Sequence, residues 1–186
     1  NAPAEELTEP ELSPSDIVYE NEKLPQVYIT TEDGFQVTSK KEYTECSVRI
    51  ELNDRFAEYV STYTDDNGGG AQLRARGNAS YNNPEMKEKN KYSYKLKLDT
   101  KANMLGMGES KHWYLINNWR DVSNLRHKFA YDMAGMLGLA HTDCTWVELY
   151  YNGEYRGLYL LTESIRIAED RVDTFDWEDL CEDVAA

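Results

Sequence analysis

Lys91-Tyr92-Ser93-Tyr94-Lys95-Leu96-Lys97-Leu98-Asp99 decides how the fold is read. Tyr92, Tyr94, Leu96 and Leu98 fall on one side of a period of two, and Lys91, Ser93, Lys95 and Lys97 on the other. Successive side chains of a strand point to opposite faces, so this stretch predicts a strand with one apolar and one cationic face. Toward the N-terminus, residues 71–76 form another strand pattern, closed by Gly77-Asn78. Residues 46–52 alternate with Cys46, Val48, Ile50 and Leu52 on one face, and 27–30 make a short strand before the Asp33-Gly34 turn. Toward the C-terminus, 112–117 is a short strand, and 145–151 and 154–162 flank Asn152-Gly153. Asn-Gly suits a type I′ turn, so the last pair reads as a hairpin.

One helix is predicted, over about 122–137. Asp121 or Ser123 can cap its start and Gly138 its end. Leu125, Phe129, Met133 and Met136/Leu137 recur at helical spacing, which predicts a stripe packed into the core. Residues 82–90 are polar and contain Pro84, so they read as a loop. The expected fold class is α+β, a mostly antiparallel sheet with one main helix packed on it. The expected organisation is an acidic extended leader over 1–23, a domain over 24–168 and an acidic tail over 169–186, which is also where a further lobe would start. Nothing after Glu163 resembles such a lobe, and the 23 residues that follow are too few to build one.

The net charge is −14, but it sits at the ends. Residues 1–22 hold seven acids and no bases, and residues 169–186 hold eight acids and one base. Within the neutral middle, residues 74–111 carry nine bases against four acids, enough to hold a small anion such as a phosphate. The overall acidity argues against a nucleic-acid surface. No apolar run reaches the roughly 18–20 residues of a membrane-spanning helix, and no signal peptide is visible. Cys46, Cys144 and Cys181 lack CxxC pairing, and with His112, His127 and His141 they make no zinc-ligand spacing. They read as buried thiols, and no metal-ligating residues are assigned.

Four segments carry a more specific resemblance: Arg74-Ala75-Arg76-Gly77-Asn78-Ala79-Ser80-Tyr81; residues 91–98; Trp113-Tyr114-Leu115-Ile116-Asn117-Asn118 followed by 120–126; and Tyr151-Asn152-Gly153-Glu154-Tyr155-Arg156-Gly157-Leu158-Tyr159-Leu160-Leu161-Thr162-Glu163. Together, and in this order, they resemble the CotH family of atypical secreted kinases. Tyr81 stands where that family carries Trp. The resemblance implies a domain like the N-lobe of a protein kinase, with ATP and Mg2+ as cofactors and protein Ser/Thr as phosphate acceptor. It also implies a bacterial, secreted or cell-surface protein. The acids that hold magnesium and orient the acceptor lie in a later lobe in kinases, so this chain alone is expected to be inactive and its catalytic residues stay unassigned. The alternative is a non-catalytic extracellular module whose aromatic face meets a glycan or a protein scaffold.

Within that frame the expected nucleotide contacts are Lys95, Lys91, Arg76, Asn78, Glu163 and Arg126. Lys95 sits mid-strand where a kinase N-lobe carries its lysine, although Lys91 and Lys97 share its face and a solvated lysine row fits as well. Arg76 and Asn78 flank Gly77, where the backbone can approach a phosphate closely; an ordinary strand-ending turn fits equally. Arg126 opens the helix, and an ion pair across the sheet is the plainer reading. Glu163 follows the last strand, where a kinase chain passes the adenine; a strand-end charge is the plainer alternative. The tyrosines at strand spacing, Tyr92, Tyr94, Tyr150, Tyr151, Tyr155 and Tyr159, read mainly as cross-strand packing pairs.

Overall fold

Alternating sequence becomes alternating burial in most of the described strands, while the last is buried on both faces from Tyr159 to Glu163. Residues 23–165 are described by a computed structural model. The strands are β1 (Gln26–Thr31), β2 (Thr44–Glu51), β3 (Gly69–Arg76), β4 (Ser93–Asn103), β5 (Glu109–Ile116), β6 (Cys144–Tyr151) and β7 (Glu154–Glu163). Val27 and Ile29, Val48 and Ile50, Leu73 and Ala75, Leu96 and Leu98, Trp113 and Leu115, Val147 and Leu149, and Tyr159 and Leu161 all point inward into one buried cluster. Neighbours pair in the order β1-β2-β3-β4-β5-β7-β6, and β6 returns to pair with β1, so the sheet closes into a seven-strand barrel. All pairings are antiparallel except β1 with β6, where Val27 lies opposite Leu149 and Ile29 opposite Tyr151 in parallel register.

This corrects the expected α+β fold, and with it the expected likeness to a kinase N-lobe with one main helix packed on an open sheet. The barrel needs no helix to cover its apolar face, because the sheet covers that face by curling on itself. The helices are short: α1 (Ala79–Asn82), α2 (Pro84–Glu88) and α3 (Arg126–Met136). α3 is the expected helix, shortened at its start, and it ends as read, with Gly138 at φ +68°. Its apolar stripe is not core. No residue of α3 is buried, and Phe129 and Met136 are 66% and 81% exposed. The helix lies outside the barrel against β6, so periodicity located it correctly and misassigned its partner. α2 occupies the middle of the stretch 82–90 that was read as loop, and α1 precedes it; Asn83 caps α2 by accepting from the Met86 N–H, and Pro84 opens it.

The Asn152-Gly153 turn joins β6 to β7 with both residues at positive φ, as the type I′ reading requires. Asn152 does more than turn the chain. Its side-chain oxygen accepts from the Thr31 N–H at 2.9 Å and its amide donates to Thr31 Oγ1 at 3.0 Å, which fixes the end of β1 beside the hairpin. Cys46 and Cys144 are buried free thiols; burial pushes them up to about 12 and about 11. Cys181, the acidic tail and all of the leader except Lys23 lie outside the described residues. No helix among the described residues is long and apolar enough to cross a membrane.

Candidate functional site

The barrel has an outward face as ordered as its core. Opposed residues in neighbouring strands share a face, so Arg74, Lys95, Tyr114 and Thr162 form one row across β3, β4, β5 and β7. Arg76, two residues on from Arg74, joins that face. Tyr114 is its hub. The Arg76 guanidinium lies 4.1 Å from the Tyr114 ring centre, and Lys95 Nζ lies 5.9 Å from it. The phenol oxygen accepts from Ser164 Oγ at 2.9 Å. A ring with a cation on its π-face and a hydroxyl in a hydrogen bond has little freedom, so Tyr114 holds Arg76 in place.

Arg76 then overhangs the end of the barrel where β3 and β5 stop and β4 starts. A cavity of about 330 Å³ opens there, with Arg76, Gly77, Asn118, Asp121, Arg126 and His127 in its wall. The loop after β5 builds the far side. Asn117 anchors it: its N–H donates to Ser93 Oγ, its side-chain amide donates to the Lys91 carbonyl, and its Oδ1 accepts from the Trp119 N–H at 3.5 Å. Asp121 organises the next turn. Its Oδ1 accepts from Ser123 Oγ at 2.6 Å and Ser123 N–H at 3.2 Å, and its Oδ2 accepts from the Arg126 N–H at 2.8 Å. These bonds hold its carboxyl below the usual carboxylate range, the Ser123 hydroxyl contributing most. The cap expected at Asp121 or Ser123 is not formed, since the N-cap of α3 is Leu125 with no side-chain cap bond. Asp121 instead accepts from the first helical N–H, that of Arg126, from the turn ahead of the helix. Its negative charge is also committed to this turn and to Arg126 Nε at 3.7 Å.

The electrostatic result is a cavity with a surplus of cations. Neither Arg76 nor Arg120 forms an ion pair with a described carboxylate, and Asp121 is the one acid in the wall. Asn118 adds a buried side-chain oxygen with no hydrogen-bond partner among the described residues. A buried acceptor in a cavity wall calls for a donor, from water or from a ligand. Gly77, at φ +96°, keeps the rim open at a backbone geometry that L-residues rarely adopt.

The six residues expected from the sequence do not share one place. Arg76 and Arg126 line this cavity. Lys95 stands beside it through Tyr114, and Asn78 lines an adjoining cavity that shares Arg76 and Gly77. Lys91 is directed elsewhere: its ammonium lies 5.5 Å from the Tyr159 ring centre, and burial lowers its pKa. Glu163 is buried on the core side opposite Trp113, three residues along β7 from Leu160, which pairs with Ile116 beside the cavity. That separation is about 10 Å along the strand. Tyr114, Asn118 and the Asp121 turn were not singled out for binding. The signal for Tyr114 was its register opposite Lys95, which needs the pairing of β4 with β5. The tyrosine pairs are largely packing, as read: Tyr94 stacks on Tyr151 and Tyr159 inside the barrel, and Tyr28 stacks on Tyr150 outside it.

Residues 73–179, more than half of the chain, match the family described as CotH kinase protein, and the chain belongs to that family. The matched stretch holds every residue of the cavity wall. A search of curated proteins found no match.

Proposed function

We propose that the Arg76–Arg126 cavity receives the phosphate groups of ATP, as the nucleotide-facing part of a CotH-type kinase acting on protein Ser/Thr. The observation that carries this reading is an arginine fixed over Tyr114, unpaired with any described acid, at the open Gly77 rim. A guanidinium presents several N–H donors in a planar fork, which suits phosphate oxygens. Arg126 reaches the same space from the helix start, and Lys95 raises the local positive potential from behind Tyr114. Asn118 offers its lone oxygen to a donor on the ligand, such as an exocyclic amine. The unit that does this is taken as residues 24–168.

The fit to magnesium is poorer. Among the described residues no group of three His, Cys, Asp or Glu side chains could hold a metal ion, and the Asp121 carboxylate is committed to its turn. No step is therefore assigned to a metal held by these residues. Bound ATP supplies the transferable phosphoryl group; the residues described here bind, orient and neutralise it, and complete transfer by this chain alone is not part of the proposal. Placement outside the cell, in a bacterium, enters the proposal through the family.

A second reading rests on α3. Phe129, Met136, Leu137 and Leu139 are all more than half exposed, a surface suited to a protein scaffold rather than to catalysis. Calorimetric titration with ATP, with and without Mg2+, separates the two. Saturable binding weakened about tenfold or more by Arg76→Ala, which is about 1.4 kcal/mol, supports the nucleotide site. Binding unaffected by Arg76→Ala and Arg126→Ala, or no binding at all, removes it in favour of the scaffold reading.

A further inference from the structure

Arg76 and Gly77 are shared by two cavities, and the second has a composition of its own. About 290 Å³ in volume, it is lined by Lys40, Arg74, Ala75, Arg76, Gly77 and Asn78. Three of these six residues are cations and none is an acid. Among the described residues, none of the three forms an ion pair with a carboxylate. Like charges gathered without counter-charge repel one another, and a bound anion relieves that repulsion.

The cluster is also held rigidly. Arg74 Nη1 donates to the Lys40 carbonyl at 2.9 Å, and its guanidinium lies 4.9 Å from the Tyr43 ring centre. Lys40 Nζ donates to Asn78 Oδ1 at 3.0 Å and lies 5.0 Å from the Tyr81 ring centre. Each anchor leaves donors over. An ammonium has three N–H groups and a guanidinium five, and one of each is used here by a protein acceptor. Asn78 accepts with its oxygen and keeps its NH2 as a further donor. The backbone contributes to the same arrangement: Ala75 N–H donates to Ser39 O at 2.8 Å, which ties the loop carrying Lys40 to the end of β3.

We infer that the Lys40–Arg74–Asn78 cavity is a second anion site, for a phosphate group, distinct from the nucleotide cavity across Arg76. The ligand class follows from charge and shape. A carboxylate carries one negative charge and two oxygens, whereas a phosphate monoester carries close to two charges and three free oxygens. Three unpaired cations around one small cavity match the second. Lys40 lies outside the stretch that matches the family, so this site draws on a part of the chain that the family match does not cover. Its ligand is either free phosphate or a phosphoryl group already on a side chain of a partner protein. In both cases the chemistry recognised is the same.

The test uses the whole chain, with inorganic phosphate and O-phosphoserine as probes. Amide shifts of Gly77 and Asn78 are followed by NMR, for the wild type, Lys40→Ala and Arg126→Ala. Lys40 is a partly exposed loop side chain outside the barrel core, so its truncation leaves the barrel intact. Saturable shifts weakened about tenfold by Lys40→Ala, and unchanged by Arg126→Ala, are expected. Tighter binding of O-phosphoserine than of phosphate identifies the ester as the ligand; equal binding identifies the free anion. Shifts that survive Lys40→Ala, shifts lost in Arg126→Ala alone, or no saturable shift at all would overturn the inference. ATP titration of the same three proteins tests the nucleotide cavity separately. Loss of ATP binding in Arg126→Ala with phosphate binding intact leaves both sites standing. Absence of ATP binding with phosphate binding present removes only the nucleotide reading.

Discussion

Asp121 grips Arg126 at two points, accepting from its backbone N–H at 2.8 Å and facing its Nε at 3.7 Å. The first contact starts α3, and the second aims an arginine at the cavity. Both depend on an ionised carboxylate whose pKa is lowered, first by the Ser123 hydroxyl. A depressed pKa means that the unfolded chain binds the proton more readily than the native one, so stability rises with pH. The Asp121 contribution is complete above the ordinary carboxylate value of about 3.9 and is lost as pH falls through its lower native value. Melting temperature followed down through this window should fall in the wild type and fall less steeply in Asp121→Asn. Parallel curves would show that the turn does not depend on the charge.

Arg76 should not be replaceable by lysine. Its planar guanidinium stacks 4.1 Å from the Tyr114 ring centre, and an ammonium reproduces neither the stacking nor the fork of donors. Arg76→Lys is expected to lose about tenfold in ATP affinity, roughly 1.4 kcal/mol, with no change in melting temperature. Tyr114→Leu should produce a similar loss by releasing Arg76. Full affinity in Arg76→Lys would show that charge alone matters there.

Phe129 tests the correction to the fold. A core stripe would make Phe129→Ser cost about 3 kcal/mol or more, as large-to-small core changes do. The side chain is 66% exposed, so the expected change is within about 0.5 kcal/mol. Trp113 is the contrast. It is fully buried, with its indole N–H donating to Ser110 O at 3.1 Å, and Trp113→Ala should cost about 3–5 kcal/mol in chemical denaturation.

Gly68 is fixed by its surroundings as well as by its φ of +64°. A Cβ there would lie 2.3 Å from the Val48 carbonyl oxygen, a backbone atom of the paired strand that cannot step aside. Gly68→Ala should cost about 1–3 kcal/mol, the range for strained backbone positions. Gly34 has a similar φ, +71°, with open space around it, so Gly34→Ala should cost only the conformational part. Equal losses at the two positions would mean that contact with β2 is not the cause at Gly68.

The seven strands were legible in the sequence, most of them through alternation and the last as the return of the Asn152-Gly153 hairpin, whose residue types permit positive φ at both positions. The closure was not legible. It depends on β1 pairing with β6 in parallel, where Gln26 lies opposite Glu148 across most of the chain. A period of two shows which face of a strand is buried, not which strand lies beside it. The same limit applied to α3, whose spacing is real but whose apolar side faces outward. At the site, Arg76 and Arg126 were readable as cations near a glycine turn and a helix start. Their meeting across one cavity, and the separation of Lys91 and Glu163 from it, follow from the barrel's register.

The parallel seam between β1 and β6 has one further meaning. The stretch matching the family contains β4 to β7 and the second half of β3, but neither β1 nor β2. Those two are the staves that complete the hoop. Cut down to the matched stretch, the chain would be an open ribbon with β3 and β6 as bare margins, and unpaired margins invite other chains to add to them. The closure of the barrel is thus owed to residues that the family match does not cover.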